Sequence, residues 1–145
     1  MRTLEGTTRT IDIELARVLL VNDDPASRLT LQTVLQAGGY RVDSAASAAE
    51  AVGKLDEQEY QLVLSDLQME SPEAGLKVLA HARMMDYKPA TAIVTTYQNV
   101  VPEKKSQLFI KPEDVPGLLS KVAQLISERA ARRVRRNLLR PSSSS

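Results

Sequence analysis

The stretch RVLLVNDDP, Arg17 to Pro25, decides the fold. Val18 to Val21 is an unbroken apolar run, as expected of a parallel strand covered on both faces, and it stops abruptly at Asn22, Asp23 and Asp24. Pro25 suits the first turn of a helix, where its missing N–H has no partner to lose. Leu29, Leu31, Val34, Leu35 and Ala37 then keep helical spacing up to Gly38 and Gly39, the residue type that ends helices. The first unit is therefore strand, acidic turn, helix.

The same alternation continues along the chain. Tyr40 to Ala45 reads as a second strand, and Ser47 with Glu50 forms a capping box that opens a helix through about Glu57. Leu62 to Ser65 is a third strand running into Asp66. A loop containing Pro72 and Gly75 is expected next, followed by a helix through Leu76, Val78, Leu79 and Ala82. Thr91 to Thr95 and Leu108 to Ile110 read as a fourth and fifth strand, the latter followed by Lys111 and Pro112. A last helix from about Val115 carries Leu118, Leu119, Val122, Leu125 and Ile126 on one face. Strands alternating with helices across short joints predict an α/β fold with a five-stranded, doubly wound parallel sheet. Tyr97 to Gln107 contains Pro102 and lacks an apolar stripe, so the fourth helix is expected to be shortened or absent and the last one extended. The expected division is a polar lead over 1–15, the folded domain over 16–127, a basic helical extension over 128–140 and a disordered Ser-rich tail over 141–145.

Composition narrows the chemistry. The 145 residues suit one domain, and an apolar fraction of 43% with one Phe and no Trp requires a core of Leu, Val, Ile and Ala. With no cysteine, thiolate chemistry and disulfides are excluded. The first nine residues lack the apolar stretch of a signal peptide and no run approaches the ~20 residues that span a bilayer, so a cytoplasmic location is expected. The net charge of +1 hides an asymmetry: Glu128 to Arg140 holds six Arg against one Glu, leaving an acidic body with a basic end.

In an open parallel sheet the functional crevice lies at the carboxyl ends of the strands. Asp23 and Asp24 follow the first strand, Asp66 ends the third, Thr95 the fourth and Lys111 the fifth. Carboxylates gathered at a rim repel one another, and a hard divalent cation, Mg²⁺, relieves that repulsion. A carboxylate beside such an ion can attack a phosphoryl donor while an ammonium and a hydroxyl stabilise the transferred oxygens. Each residue alone has a plainer explanation: Asp23 and Asp24 as helix caps, Thr95 as a β-branched strand residue, Lys111 as a solvated charge. Their weight is collective. His81, the single histidine, reads as a surface or packing residue, and Met84 and Met85 as the end of a helix.

In family order, the motifs VNDDP (21–25), LSDLQM (64–69), Val94–Thr95 and Lys111–Pro112 resemble those of the receiver domains of two-component response regulators. The resemblance runs from about Arg17 to Ser127 and implies a flavodoxin-like fold. It implies Asp66 as phosphoacceptor, Asp23 and the backbone carbonyl of Gln68 as further metal ligands, Thr95 as the switch hydroxyl and Lys111 as the cation that pairs with the phosphoryl group. Asn22 stands where the family commonly has its first acid and Asp24 one position later, and which of them supports the metal is left open. A cis Lys111–Pro112 peptide is also implied.

The function so implied is a signalling switch, not a turnover enzyme, that receives a phosphoryl group from a histidine kinase or phosphotransfer protein in a Mg²⁺-dependent reaction and acts on a downstream output. The alternative is a pseudo-receiver that binds partners without phosphorylation. An aspartyl-phosphate hydrolase of the haloacid-dehalogenase kind is disfavoured, because such enzymes carry a second Asp two residues after the nucleophile and here that residue is Gln68. Glu70 in place of a usual proline, a short segment between Thr95 and Lys111, and Leu108 at a position commonly aromatic depart from the family pattern. The Arg-rich end is read first as a solvated helix. Ala130, Val134 and Leu138 at i, i+4 spacing leave open a homodimer through the last helix or a link to an output domain, with direct nucleic-acid contact less favoured and no membrane contact expected.

Overall fold

The structure, a computed structural model, describes residues 16–66, 71–94, 109–110 and 114–139. The elements run β1 (Arg17–Val21), α1 (Pro25–Ala37), β2 (Arg41–Ala45), α2 (Ala48–Glu57), β3 (Leu62–Asp66), α3 (Pro72–Arg83), β4 (Ala90–Val94), β5 (Phe109–Ile110) and α4 (Val115–Leu139). All strand pairings are parallel, in the order β2-β1-β3-β4-β5. The chain is an α/β protein around a parallel sheet, as its alternating pattern predicted. The segment from Thr95 to Leu108, where a shortened fourth helix is expected, lies outside the described residues, as do the N-terminal lead and the Ser-rich tail.

Period-two side-chain direction divides the strands between two cores. Val18, Leu20, Leu62, Leu64, Ala92 and Val94 pack with Leu31 and Leu35 of α1 and Leu118, Val122 and Leu125 of α4. Leu19, Val21, Val63 and Ile93 face the other way, onto Ala51 and Leu55 of α2 and Val78, Leu79 and Ala82 of α3. Because β1 and β3 are covered on both faces, their sequences are apolar without alternation. Only the sheet edges remain for polar chemistry.

Local chemistry sets the joints. Gly39 takes φ +100°, a conformation that favours glycine, and stops α1. A Cβ on Gly38 would stand 2.8 Å from a methyl carbon of Leu119, so a hydrogen there lets α4 approach α1 closely. Ser47 accepts from the Glu50 N–H at 3.1 Å while the Glu50 carboxylate accepts from the Ala46 N–H at 2.8 Å. One expectation needs correcting: Pro72 and Gly75 belong to α3, not to a loop before it. Ser71 caps the helix by accepting from the Ala74 N–H at 3.1 Å, Pro72 sits in the tolerant first turn, and the carbonyl of the buried Gly75 accepts from the Ser65 hydroxyl of β3 at 3.4 Å.

The last helix is 25 residues long. Leu118, Val122 and Leu125 bury against the sheet, and Arg129, next in the same stripe, is only 6% exposed. Its Nε donates to the Lys88 carbonyl at 3.0 Å and its Nη2 to the Tyr87 carbonyl at 2.6 Å. Lys88 has φ 45°, and the guanidinium holds the strained α3–β4 loop while stitching α4 to it. The Tyr87 hydroxyl in turn donates to the Leu55 carbonyl at 2.8 Å, extending the tie to α2. No helix among the described residues is long and apolar enough to cross a membrane.

Arg129→Met retains the apolar stem and leaves two carbonyls without their donor. It is expected to lower unfolding free energy by about 2 kcal/mol, read by urea denaturation. Faster amide exchange should be confined to residues 84–90 and the end of α4.

Candidate functional site

The turn after β1 is built by its two outer residues. Asn22 is buried: its N–H donates to the Ala45 carbonyl at 3.0 Å, its carbonyl accepts from Arg28 Nη1 at 2.9 Å, and its Oδ1 accepts from the Asp24 N–H at 2.8 Å. An Asn side chain bonded two residues on is an Asx turn, which fixes the chain reversal. Asp24 is the N-cap of α1, its carboxylate accepting from the Ser27 N–H at 2.8 Å. The hydrogen bonds with Ser27 hold the Asp24 carboxyl below its ordinary value, with the Arg28 charge adding to the effect. Asp23, exposed between these two, has neither task.

Asp66 is the last residue of β3 and is half-buried. Strand register sets what lies beside it. Val21 pairs with Ser65, so the acidic turn begins level with Asp66 on the neighbouring strand. Asp66 itself pairs with Val94, the residue before Thr95, and Val94 pairs with Ile110, the residue before Lys111. The described backbone thus brings the ends of β1, β3, β4 and β5 to one level at the carboxyl edge. Thr95, Lys111 and Gln68 themselves, and the Lys111–Pro112 peptide, lie outside the described residues. Among the described residues no group of three His, Cys, Asp or Glu side chains forms a ready cation cage. The described donors are Asp23 and Asp66 on adjacent strand ends, both hard carboxylate oxygens of the kind that suits Mg²⁺.

Sequence reasoning left unsettled whether Asn22 or Asp24 backs the acidic pair, and the hydrogen bonds assign both of them to the turn and the helix cap. It also missed two polar ties. His81 Nε2 lies 2.8 Å from Asp56 Oδ1, joining α3 to α2, and the Tyr60 hydroxyl donates to Asp43 at 2.7 Å. Burial and that bond push the Tyr60 hydroxyl well above its ordinary range. Neither partnership has a sequence signal, since the partners are 25 and 17 residues apart.

The response regulator receiver domain family matches residues 18–127. The transcriptional regulatory protein ZraR of Klebsiella oxytoca is 31% identical over 83 residues, which is 57% of this chain and 18% of that protein. The chain therefore spans less than a fifth of that regulator's length. Among solved structures, a CheY-like response regulator receiver domain protein from Methanospirillum hungatei superposes with TM-score 0.70 at 25% identity, covering 82% of this chain and 99% of that one. Response regulator protein TrrA of Thermotoga maritima, solved in complex with Mg(2+)-BeF, superposes with TM-score 0.67 at 28% identity, covering 77% and 99%. The chain belongs to the response regulator receiver domain family of two-component systems.

Asp24→Ala removes the cap and should lower the urea midpoint at neutral pH while leaving the sheet intact. Because the folded-state carboxyl is depressed below 3.8, its stabilisation is present above that value and is lost as pH falls through the depressed one. The difference in midpoint between the native chain and Asp24→Ala should therefore shrink on acidification below about pH 4.

Proposed function

We propose that this receiver is a phosphoacceptor switch, with Asp66 receiving a phosphoryl group from the phosphohistidine of a kinase or phosphotransfer protein. The observation that carries this reading is the position of Asp66: a half-buried carboxylate at the end of a central strand, level with the acidic turn of β1 and with the residues that lead into Thr95 and Lys111. An Asp66 carboxylate oxygen attacks phosphorus, an O–P bond forms as the P–N bond to the donor imidazole breaks, and the imidazole leaves with its electron pair and takes up a proton.

Asp23 and Asp66 would hold a divalent cation, with the Gln68 carbonyl as the further ligand that the family resemblance implies. Bound there, Mg²⁺ supplies positive charge against the phosphoryl oxygens. Asn22 and Asp24 act behind the pair, holding the turn so that Asp23 needs no reorganisation to meet the ion. Lys111 pairs with the transferred group, and Thr95 responds to it by donating its hydroxyl. The resulting shift in partner affinity is limited to the difference in contacts that the phosphoryl group makes in the two conformations. Between Thr95 and Lys111 the chain is short for the family, so output through that face departs from the usual pattern.

Incubation with acetyl phosphate and Mg²⁺, followed by intact-protein mass spectrometry, should show one added phosphate. Asp66→Asn should abolish it and Asp23→Asn should reduce it by at least about tenfold, whereas Asp24→Asn, which can still cap α1, should leave it nearly unchanged. Absence of phosphate uptake by the native chain, together with failure to bind beryllofluoride and Mg²⁺, would make this a phosphorylation-independent binding module.

A further inference from the structure

Asp23 is exposed, and among the described residues its carboxylate has no hydrogen bond or ion pair. A side chain in that position is aimed by its backbone alone. Peptide groups are planar, so the direction of the Asp23 Cα–Cβ bond follows from the orientation of the two peptides that flank it. Both are held by side chains. The N–H of the 23–24 peptide donates to Asn22 Oδ1 at 2.8 Å, which is the Asx turn already described. The carbonyl of the 22–23 peptide accepts from Arg28 Nη1 at 2.9 Å. That second grip comes from outside the turn, from the fourth residue of α1.

Arg28 can hold a peptide group because it is itself held. Its backbone N–H donates to the Asp24 carbonyl at 2.9 Å, closing the first turn of α1, and Asp24 caps the same turn through the Ser27 N–H at 2.8 Å. Further along α1, Leu31 and Leu35 bury against the sheet and fix the helix to the body of the domain. On the other side of the turn, the Asn22 N–H donates to the Ala45 carbonyl at 3.0 Å, so the pinned peptide follows directly from backbone tied to β2. A half-buried guanidinium bonded to a carbonyl is a strong tie, since a charged donor roughly doubles the strength of a hydrogen bond. A continuous path therefore runs from the core through α1 and Arg28 to the peptide that carries Asp23.

Charge alone would argue against an arginine here. Arg28 is close enough to Asp24 to help hold its carboxyl below the ordinary value, and a cation beside an acidic turn opposes the binding of another cation. What favours arginine is the hydrogen bond. We propose that Arg28 is a positioning residue for the metal-binding carboxylate: by gripping the Asn22 carbonyl it fixes the 22–23 peptide and presents Asp23 ready to meet a divalent cation. This rests on the reading of Asp23 and Asp66 as ligands and adds the device that aims one of them. Arg28 touches neither the ion nor the phosphoryl group. What it removes is the loss of freedom that the turn would otherwise suffer when the ion binds.

Mn²⁺ alone, which suits the same carboxylate and carbonyl oxygens, serves as the probe for the full chain, because the electron paramagnetic resonance signal of the free ion disappears on binding. No phosphodonor is needed. Positioning and charge predict effects of opposite sign. Arg28→Met keeps the apolar stem and removes both charge and donor. It should weaken Mn²⁺ binding by about tenfold or more, the scale of a lost outer partner of a ligand, whereas relief of repulsion would tighten it. Arg28→Lys keeps the charge without the planar fork and should also bind more weakly than the native chain. Circular dichroism and urea denaturation establish that each variant is folded under the conditions of the titration. Because Arg28 acts through Asp23, adding Arg28→Met to Asp23→Asn should leave the residual affinity unchanged. The proposal is overturned by either folded Arg28 variant binding as tightly as the native chain or more tightly, or by a tenfold loss that persists in the Asp23→Asn background. Failure of the underlying reading looks different: a native chain that binds no Mn²⁺, or an Asp23→Asn variant that binds it as tightly as the native chain, removes Asp23 as a ligand, and the proposal falls with it.

Discussion

Burying a parallel sheet on both faces is the constraint from which the rest of this structure follows. β1 and β3 carry leucine and valine to both sides, toward α1 and α4 on one and α2 and α3 on the other. No polar side chain is tolerated along those runs without a partner, so polar function is driven to the strand ends. At the carboxyl edge the parallel register brings those ends level, and residues as far apart in sequence as Asn22 and Asp66 become neighbours in rank. The candidate site is a consequence of the layer architecture before it is a consequence of any one residue.

Within that edge the work is divided among three consecutive residues. Asn22 spends its side chain on the turn and Asp24 on the helix N-terminus, where the peptide dipoles also favour a negative charge. Asp23 is the one carboxylate of the turn without a structural assignment, so a ligand can take it without unmaking the fold. Stiffness comes from its neighbours, and this separation lets one short loop hold its shape while presenting a carboxylate that the fold does not use.

What could be read in the sequence follows from the range of the interactions. Val18 to Val21, the Ser47–Glu50 box and the glycines after α1 act within a few residues, and their patterns translated directly into elements. The acidic ends of β1 and β3 were legible because a parallel sheet gives them a common destination. Pro72 and Gly75 misled because both residues usually punctuate, whereas here Ser71 supplies a cap, so that Pro72 falls in the first turn where it is tolerated and Gly75 one turn further into the helix. Arg129 was not legible at all. In sequence it is one of six arginines in a basic run, and what sets it apart is a pair of carbonyls about 40 residues upstream.

Arg129 also marks where one helix changes its purpose. Up to that residue α4 is held by apolar burial on the sheet, and a helix docked so firmly is rigid. Past it the same stripe turns to arginine, so the domain offers the rest of the helix no surface to lie on, and the apolar residues reappear on another side. Had Val134 and Leu138 continued the docking stripe, the arm would simply have extended the contact with the domain. Because they are rotated off it, the rigidity that Arg129 secures in the domain instead carries residues 130–139 clear of the domain's surface, where all of them are exposed.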